Sequence, residues 1–396
     1  MGDSALSHSR FPSLSETLPT DASKAILIGR IWVPGEGPYL VKVDADETTD
    51  LSGLALTSSD LMELDNVAAR VQQHHGKTWS TPSLWTNTDP QHRNEQQAWF
   101  LAPTDLQAIK AAGVTFVASM LERVIEEQAR GDAAKAESVR KAVMDVMGDN
   151  LRNVQPGSEK AMKLKEVLVA QGVWSQYLEV GIGPDAEIFT KSQAMSAVGS
   201  GFDVGLHPGS SWNNPEPEIV LVINSKGHVV GAAMGNDVNL RDFEGRSALL
   251  LGKAKDNNAS CAIGPFIRLF DGQYTIDSIR NTDLSMAVHG PEGFVMQGSS
   301  SLSQISRDPL DLAAQAIGPC HQYPDGLVLF LGTMFAPTQD RHGPGQGFTH
   351  VVGDTVAITT PQLGTLFNRV TTSDQAPAWT YGIRALMQDL AKRARH

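Results

Sequence analysis

The sequence predicts an α+β protein whose second half is rich in β-sheet. Charged residues recur at helical spacing between residues 104 and 175. After residue 180, short β-type runs such as EIVLVIN, HVVGAAMG and LVLFLGTMF are separated by Gly, Pro and Asn. Helical and strand patterns are therefore segregated along the chain and do not alternate as βαβ units would require.

The N-terminal part divides into a tail and a small domain. Residues 1–22 are rich in Ser, Thr and Pro, which predicts a disordered tail. Residues 23–103 combine the strand-like runs AILIGRIWV and PYLVKVD with a helix pattern over residues 58–74. We therefore predict a small α+β N-terminal domain there, and a second, larger domain over residues 104–396.

The helices of the larger domain are predicted at two places. Residues 104–175 read as a helical region, and the run SMLERVIEEQARGDAAKAESVRKAVMDVMG is interpreted as a solvated helix face. DPLDLAAQAI, residues 308–317, is a further helix. The stretches AVGSGFDVG and GPGQGF are predicted to be a turn and a loop, because neither has the glycine pattern and following helix of a dinucleotide-binding loop.

Composition disfavours several classes of partner. The 396 residues are 41% hydrophobic and 19% charged, with a net charge of −12, which argues against nucleic acid or an anionic membrane as the main partner. The N-terminus lacks the apolar core of a signal peptide, and no stretch approaches the length of a transmembrane helix. Cys261 and Cys320 have neither metal-site nor CxxC spacing, so we expect buried thiols in a cytoplasmic protein.

Two glutamates stand at the start of the apolar run PEPEIVLV. Glu216 and Glu218 point the same way in an extended strand, with carboxylates about 7 Å apart or closer. Burying them is costly unless a hard cation such as Mg²⁺, Mn²⁺ or Ca²⁺ lies between them. Asp237 follows the next apolar run and is a candidate third ligand. The alternative is a solvated strand end paired with Arg241 or Arg246.

A candidate base lies in LLLGKAKDNN. Lys253 and Lys255 would share one face of an extended segment. A desolvated lysine beside a divalent cation has a lowered pKa, which would make Lys255 a general base near neutral pH. The alternative is a structural lysine paired with Asp256 or Glu244.

Four stretches in order, PEPEIVLV, GNDVNLRDFEG, KAKDNNASCAIGPF and LFLGTMFAP, resemble the fumarylacetoacetate hydrolase superfamily. The resemblance implies a mixed β-roll catalytic domain. It also implies Mg²⁺, with Mn²⁺ as a substitute, held by Glu216, Glu218 and Asp237, and Lys255 as the catalytic lysine. Within the superfamily the chain is most similar to dehydratases of 2-keto-3-deoxy-pentonates. QYLEVGIGPDAEIFTK and HQYPDG match the long forms that act on 2-keto-3-deoxy-D-xylonate.

The same resemblance implies further site residues. Glu187 is implied as a second catalytic acid, Lys191 as a lysine lining the pocket, and Thr333 as the position that holds the substrate carboxylate. Ser119, in GVTFVAS, stands where hydrolases of the superfamily carry a water-activating histidine, and we place it beside the substrate. A serine without a partner base activates water poorly, which favours elimination over hydrolysis.

The function implied is that of a hydro-lyase in non-phosphorylative pentose breakdown, which removes water from a 2-keto-3-deoxy-pentonate to give 2,5-dioxopentanoate. Lys255 would remove the C3 proton and Glu187 would protonate the departing C4 hydroxyl. The two roles are interchangeable at this stage, and a Schiff base at Lys255 stays open. The alternatives are an acylpyruvate or β-diketone hydrolase of the same superfamily, or a non-catalytic sugar-acid-binding regulator. We expect a homodimer or homotetramer whose partner is a small sugar acid.

Overall fold

The computed structural model describes residues 10–132, 135–136, 140, 154–170, 172 and 174–394, without the side chains of Ala118 and Ser119. The strands, in chain order, are β1 Leu27–Val33, β2 Gly37–Val43, β3 Glu47–Asp50, β4 Thr78–Ser80, β5 Trp99–Leu101, β6 Ala108–Gly113, β7 Glu187–Ser192, β8 Asp203–Leu206, β9 Asn213–Asn214, β10 Pro217–Ile223, β11 Val229–Asp237, β12 Asn239–Leu240, β13 Cys261–Leu269, β14 Asp283–His289, β15 Val295–Ser301, β16 Leu327–Phe330, β17 Thr355–Thr360 and β18 Gly364–Thr372.

The helices are numbered in the same way. They are α1 Leu14–Thr17, α2 Ser58–Met62, α3 Val67–Gln73, α4 Thr81–Thr88, α5 Val117–Gln128, α6 Glu159–Ala170, α7 Gln176–Ile182, α8 Arg241–Glu244, α9 Leu251–Lys255, α10 Ile276–Arg280, α11 Pro309–Ala316 and α12 Ile383–Arg393. Short 3₁₀ helices span Ala248–Leu250 and Leu302–Gln304.

Two mixed sheets and a short ribbon organise these strands. The larger sheet has the order β4-β3-β2-β1-β13-β11-β10-β16-β6-β7, and β5 also pairs with β1. In it β16 and β6 run parallel, whereas the other described pairs are antiparallel. The second sheet has the order β15-β14-β17-β18-β8, and β9 pairs with β12 as the ribbon. The sheet-rich second half that we predicted is therefore present.

Strand β10 lies inside the larger sheet, between β11 and β16, and is buried on both faces. Ile219 and Leu221 belong to the core shared with the second sheet, which includes Ile358. Val220 points to the other face and belongs to the core that contains Ile28. A strand buried on both faces requires an uninterrupted apolar run, which explains EIVLVI.

The N-terminal strands continue the larger sheet. Strand β1 pairs with β2 on one side and with β13 on the other, in the register Ile28↔Ile267. Six of the seven residues of β1 are buried, so both of its edges need partners. Residues 23–103 thus share a sheet with the second half of the chain, and the domain boundary at 103/104 stays a prediction.

The predicted tail differs from the structure over residues 10–22, whereas residues 1–9 lie outside the described residues. Ser13 caps α1 through a reciprocal capping box with Glu16. Phe11 stacks on Trp85 with ring centroids 4.8 Å apart. Apolar and charged anchors within a Ser- and Pro-rich stretch therefore hold residues 10–22 against the fold.

Asp21→Asn should lower the free energy of unfolding. Both terminal guanidinium nitrogens of the buried Arg268 donate to the Asp21 carboxylate at 2.7 Å, so the change weakens a bidentate pair. We expect a loss of about 1–3 kcal/mol in urea unfolding. Asp277→Asn, in a more exposed pair with Arg280, is the matched control and should change stability by less than about 1 kcal/mol. Equal losses in the two variants would contradict the anchoring role.

Two helix predictions need correction. The helix predicted over residues 58–74 is divided into α2 and α3, because Asn66 adopts a left-handed conformation with φ of 53°. Within the region predicted as helical, residues 108–113 form strand β6, where pairing with β16 and β7 overrides the helical preference of Ala and Lys. The helix α11 is confirmed, with Asp308 as its cap. Much of the charged run beyond residue 132 lies outside the described residues.

The remaining features of the fold are the exposure of the two cysteines and the apolar character of the helices. Cys261 is buried as predicted, but Cys320 is exposed, because it lies in a turn after α11 and not in a strand. Neither is in a disulfide. Over the described part of the chain, no helix combines the length and apolar character that crossing a membrane demands.

Candidate active site

Three carboxylates meet where β10 begins and β11 ends. The strands are antiparallel, with Glu218 opposite Gly235, so the start of β10 lies beside Asp237. Glu216, Glu218 and Asp237 are buried and each offers one oxygen, with these oxygens within 4.8 Å of one another. The predicted hairpin and the predicted convergence of the two glutamates are confirmed.

Lys255 lies against this group. Its ammonium donates to Glu216 Oε2 at 2.6 Å and to Asp237 Oδ2 at 3.0 Å. The extended segment predicted around it is wrong, because residues 251–255 form helix α9. Positions two apart on a helix face different ways, so Lys253 is exposed while Lys255 is buried. Lys255 therefore pairs with Glu216 and Asp237, and not with Asp256 or Glu244 as the alternative interpretation expected.

Lys191 lies behind the carboxylates. Its ammonium is fully buried and contacts Asp237 Oδ1 at 2.9 Å, the Lys255 carbonyl at 2.6 Å and the Val238 carbonyl at 3.2 Å. These protein oxygens take up its donors. Lys191 is inward-facing on β7, and the pocket-lining role that the resemblance implied stays a prediction.

Glu187 lies on the same strand, at its start. It is partly exposed and stands opposite Gly113 of β6, where any Cβ would overlap the Glu187 carboxylate. Burial, and next the charge of Glu244, raise the pKa of Glu187 to about 7. A carboxyl group that titrates near neutral pH can serve as an acid or a base. The role of catalytic acid implied for Glu187 requires a raised pKa of this kind.

The loop after β16 holds Glu218. The Gly332 amide donates to Glu218 Oε2 at 2.8 Å, and the Thr333 hydroxyl lies 3.3 Å from Oε1. Gly332 has a φ of 101°, a conformation that suits glycine. Thr333 thus lies beside the acidic group with its hydroxyl directed at Glu218, and its contact with the substrate carboxylate stays a prediction.

Arg123 is a site residue that sequence reasoning missed. It lies on α5, one turn after Ser119, whose side chain is outside the described residues. Its guanidinium contacts Glu216, and also Glu126 at 2.7 Å and Glu244 at 2.9 Å. The R-x-x-E spacing was visible, but an exposed helical ion pair has the same spacing. The interpretation of this part of the charged run as a solvated face is wrong for Arg123 and Glu126, because both are buried.

Arg241 extends the network. Its Nε lies 3.3 Å from Glu126 and donates to Asn214 at 2.8 Å, and its guanidinium also donates to the Pro337 carbonyl. The sequence alternative paired Arg241 with the glutamates of PEPE. The structure instead pairs it with Glu126 of α5.

Negative charge is in excess in this region. Six carboxylates interact with four cations, which together are Glu126, Glu187, Glu216, Glu218, Asp237 and Glu244 with Arg123, Lys191, Arg241 and Lys255. One divalent cation would bring the formal charge to neutrality. Carboxylate oxygens are the ligands that hard divalent cations prefer, so Glu216, Glu218 and Asp237 fit such an ion.

The pKa shifts report the same imbalance. Burial, together with the charges of Asp237 and Glu216, holds the pKa of Glu218 well above its usual value. Burial opposes ionisation of Asp237, but Lys191 and Lys255 outweigh it and lower that pKa. Burial would also lower the pKa of Lys255, yet Asp237 and Glu216 raise it. The lowered pKa predicted for Lys255 beside a divalent cation stays a prediction, because the two carboxylates that hold its proton are the candidate ligands of that cation.

Comparison with known proteins places this geometry in context. The family described as fumarylacetoacetate (FAA) hydrolase C-terminal matches residues 182–371. A 2-dehydro-3-deoxy-D-arabinonate dehydratase of Saccharolobus solfataricus is 29% identical over 187 residues, which are 46% of this chain and 58% of that protein. A probable 2-keto-3-deoxyxylonate dehydratase of Haloferax volcanii is 29% identical over 196 residues, 50% of this chain and 64% of the relative. The matches thus span less than two thirds of either relative.

Solved structures share the fold. The apo form of a 2-keto-3-deoxy-D-arabinonate dehydratase superposes with a TM-score of 0.59 at 20% identity, covering 88% of this chain and 99% of the other. A 2-keto-3-deoxy-D-arabinonate dehydratase complexed with magnesium and 2,5-dioxopentanoate gives a TM-score of 0.58, with the same identity and coverage. Residues 182–371, which match the fumarylacetoacetate (FAA) hydrolase C-terminal family, contain all three carboxylates and Lys255.

Proposed function

We propose that this protein is a metal-dependent hydro-lyase that converts a 2-keto-3-deoxy-pentonate, such as 2-keto-3-deoxy-D-xylonate, to 2,5-dioxopentanoate. The observation that carries the proposal is the pairing of two proton-transfer groups around one acidic site. Lys255 contacts two of the three carboxylates, and Glu187, with a pKa near 7, belongs to the same cluster of charges. The names of the two curated relatives support this substrate class.

Mg²⁺ or Mn²⁺ is the proposed cofactor, held by Glu216, Glu218 and Asp237. Such an ion, when bound, would polarise the C2 ketone and compete with the Lys255 ammonium for two carboxylates. The solved 2-keto-3-deoxy-D-arabinonate dehydratase complexed with magnesium supports the choice of metal. Gly332 and Thr333 would keep Glu218 oriented toward the ion.

The chain's own residues then perform the two proton transfers. Lys255, released from its carboxylate partners, would take the proton from C3. Glu187 would donate a proton to the C4 hydroxyl as the C4–O bond breaks, so that water leaves. The electron pair of the C3–H bond forms the C3–C4 double bond, and the unsaturated acid rearranges to 2,5-dioxopentanoate.

The test is dehydration of synthetic 2-keto-3-deoxy-D-xylonate, followed through a coupled aldehyde dehydrogenase. We expect product that disappears with EDTA and returns with Mg²⁺ or Mn²⁺. Absence of product with either metal, together with release of pyruvate from acylpyruvates, would instead establish the hydrolase alternative. Binding of the sugar acid without any product would establish a non-catalytic regulator.

The pH profile should identify the role of Glu187. If Glu187 is the acid, kcat/KM should fall as pH rises through about 7, because the ionised carboxylate has no proton to donate. The measurement is kcat/KM between about pH 5 and 9, with Glu187→Gln as the control that should lack this limb. A rise through the same pH range would make Glu187 the base and Lys255 the acid.

Gly113→Ala should act on the reaction through Glu187. The added methyl group would overlap the Glu187 carboxylate, which must then move. Misplacement of a catalytic group by about 1 Å can cost about 100-fold in rate, so we expect a loss of that order in kcat. Gly252→Ala, where nothing lies within 4 Å of the new methyl, is the control. If both variants kept wild-type kcat, the position of Glu187 would not matter to the rate.

A further inference from the structure

Arg123 joins three segments of the chain at one guanidinium. It projects from α5, and one of its terminal nitrogens contacts Glu216 at the start of β10. The other terminal nitrogen contacts Glu126, also on α5, and Glu244 on α8. All four side chains are buried, so these contacts are made away from solvent.

Glu216 is consequently held at both oxygens. Arg123 contacts Oε1, and Lys255 donates to Oε2 at 2.6 Å. Lys255 is the group that the proposed reaction uses, so the Arg123 contact is the one that can persist when Lys255 leaves Glu216. The rigid fork of an arginine is suited to this task, because its nitrogens keep a fixed separation and direction.

Three carboxylates favour a positive charge at this position, but charge alone does not distinguish an arginine from a lysine. A positive charge in contact with a ligand of a divalent cation repels that cation, and the repulsion is stronger in a buried site. The two terminal nitrogens of Arg123, one on Glu216 and the other on Glu126 and Glu244, therefore point to a geometric role in addition to the charge. Arg241, 3.3 Å from Glu126, supports the same arrangement from the other side.

We propose that Arg123 is a positioning residue for the cation site, which orients Glu216 by bracing it against α5 and α8. The inference rests on the metal site of the proposed function. Loss of a hydrogen-bond partner that orients a metal ligand typically costs 10–100-fold in metal affinity. We expect a loss of metal affinity of this size when the Arg123 guanidinium is replaced.

The test separates geometry from charge with two variants. Arg123→Lys keeps the positive charge and removes the fork, whereas Arg123→Met removes both. Mn²⁺ alone is titrated into each protein and followed by electron paramagnetic resonance of the free ion, without substrate. Arg30→Lys is the matched control, because Arg30 is also buried, donates to the Thr104 carbonyl at 2.6 Å and lies 3.5 Å from the Asp105 carboxylate.

A positioning role requires weaker Mn²⁺ binding in both variants, by at least about tenfold, while Arg30→Lys binds like wild type. If Arg123→Lys binds normally and Arg123→Met binds more tightly, Arg123 is only a counter-charge and the proposal is overturned. If Arg123→Lys fails to fold, Glu126→Gln takes its place, because it weakens the contact between Arg123 and Glu126. This variant should also bind Mn²⁺ more weakly. An unchanged affinity there would overturn the proposal.

The outcome is independent of the proposed reaction. Because the readout is Mn²⁺ binding, weaker binding in the variants supports the brace even if no sugar acid is dehydrated. Conversely, if the wild-type protein did not bind Mn²⁺, there would be no metal site. Both the positioning role of Arg123 and the proposed metal-dependent reaction would then fail. A wild-type protein that binds Mn²⁺ but forms no 2,5-dioxopentanoate would count against the reaction alone.

Discussion

Lys255→Met should lower kcat for dehydration by about 10³-fold and leave divalent-cation binding in place. The variant removes the proposed acceptor of the C3 proton, and a general base typically contributes 10²- to 10⁴-fold. Lys255 is also a positive charge in contact with two of the proposed ligands, so its removal should preserve or strengthen cation binding. The measurements are steady-state dehydration and a Mn²⁺ titration of the same preparation.

Lys253→Met is the matched control for this experiment. Lys253 lies two residues earlier on the same short helix, and it is exposed, over the ring of Phe243. It loses the same charge without touching the carboxylates, so its kcat should stay within a few-fold of wild type. Turnover by Lys255→Met at a tenth of the wild-type rate or more would exclude Lys255 as an essential proton-transfer group.

Glu218→Gln should abolish the response to metal and stabilise the cation-free protein. Glu218 is fully buried, and burial with the charges of Asp237 and Glu216 raises its pKa well above the usual value. A neutral amide of the same shape relieves that repulsion and can keep a carbonyl acceptor for Gly332. Cation affinity should fall by more than about 100-fold, because a ligand is lost and not only its support.

The sign of the pH dependence follows from the raised pKa. A carboxyl group with a raised pKa in the folded protein contributes stability below its unfolded pKa of about 4.3 and loses that contribution as pH rises through the folded value. The Tm of cation-free wild-type protein should therefore fall below that of Glu218→Gln by an increasing margin as pH rises. Differential scanning calorimetry with and without Mg²⁺, from about pH 5 to 8, measures the margin.

Asp105→Asn is the control, because it removes a buried carboxylate that already has a cationic partner. Asp105 is a buried carboxylate that accepts from the amides of Ser58 and Ser59 and pairs with Arg30, so its charge is satisfied. Its removal should lower Tm while leaving the Mg²⁺ response unchanged. If Glu218→Gln instead lowered Tm in the cation-free protein, the cluster would be a structural network and not a strained binding site.

These two variants test one property of the site, which is that its charges are poorly matched without a cation. Functional sites often retain groups that destabilise the folded protein, and replacing them stabilises it at the expense of activity. Here the excess of carboxylates is concentrated on β10, β11 and the helices α5 and α8. A bound divalent cation would stabilise the fold by the same interactions that would serve the reaction.

The sequence alone was sufficient for the local features of the site. The uninterrupted apolar run after PEPE indicated a buried strand, and the length of the return to Asp237 indicated a hairpin, because strand periodicity and hairpin spacing are local properties. The choice of Glu216, Glu218, Asp237 and Lys255 as one group followed from the same spacing and from the resemblance, and the structure brings them together.

Tertiary structure decided what local pattern left ambiguous. An R-x-x-E pair looks the same on an exposed and on a buried helix, so only the tertiary structure, which brings α5 to Glu216, reveals Arg123 as a contact of that residue. Lys191 was equally visible, but whether its ammonium faces a pocket or the interior depends on residues far away in the chain. Likewise, the pKa of Lys255 is set by two carboxylates 39 and 18 residues away in sequence, and spacing alone does not give the balance between burial and those charges.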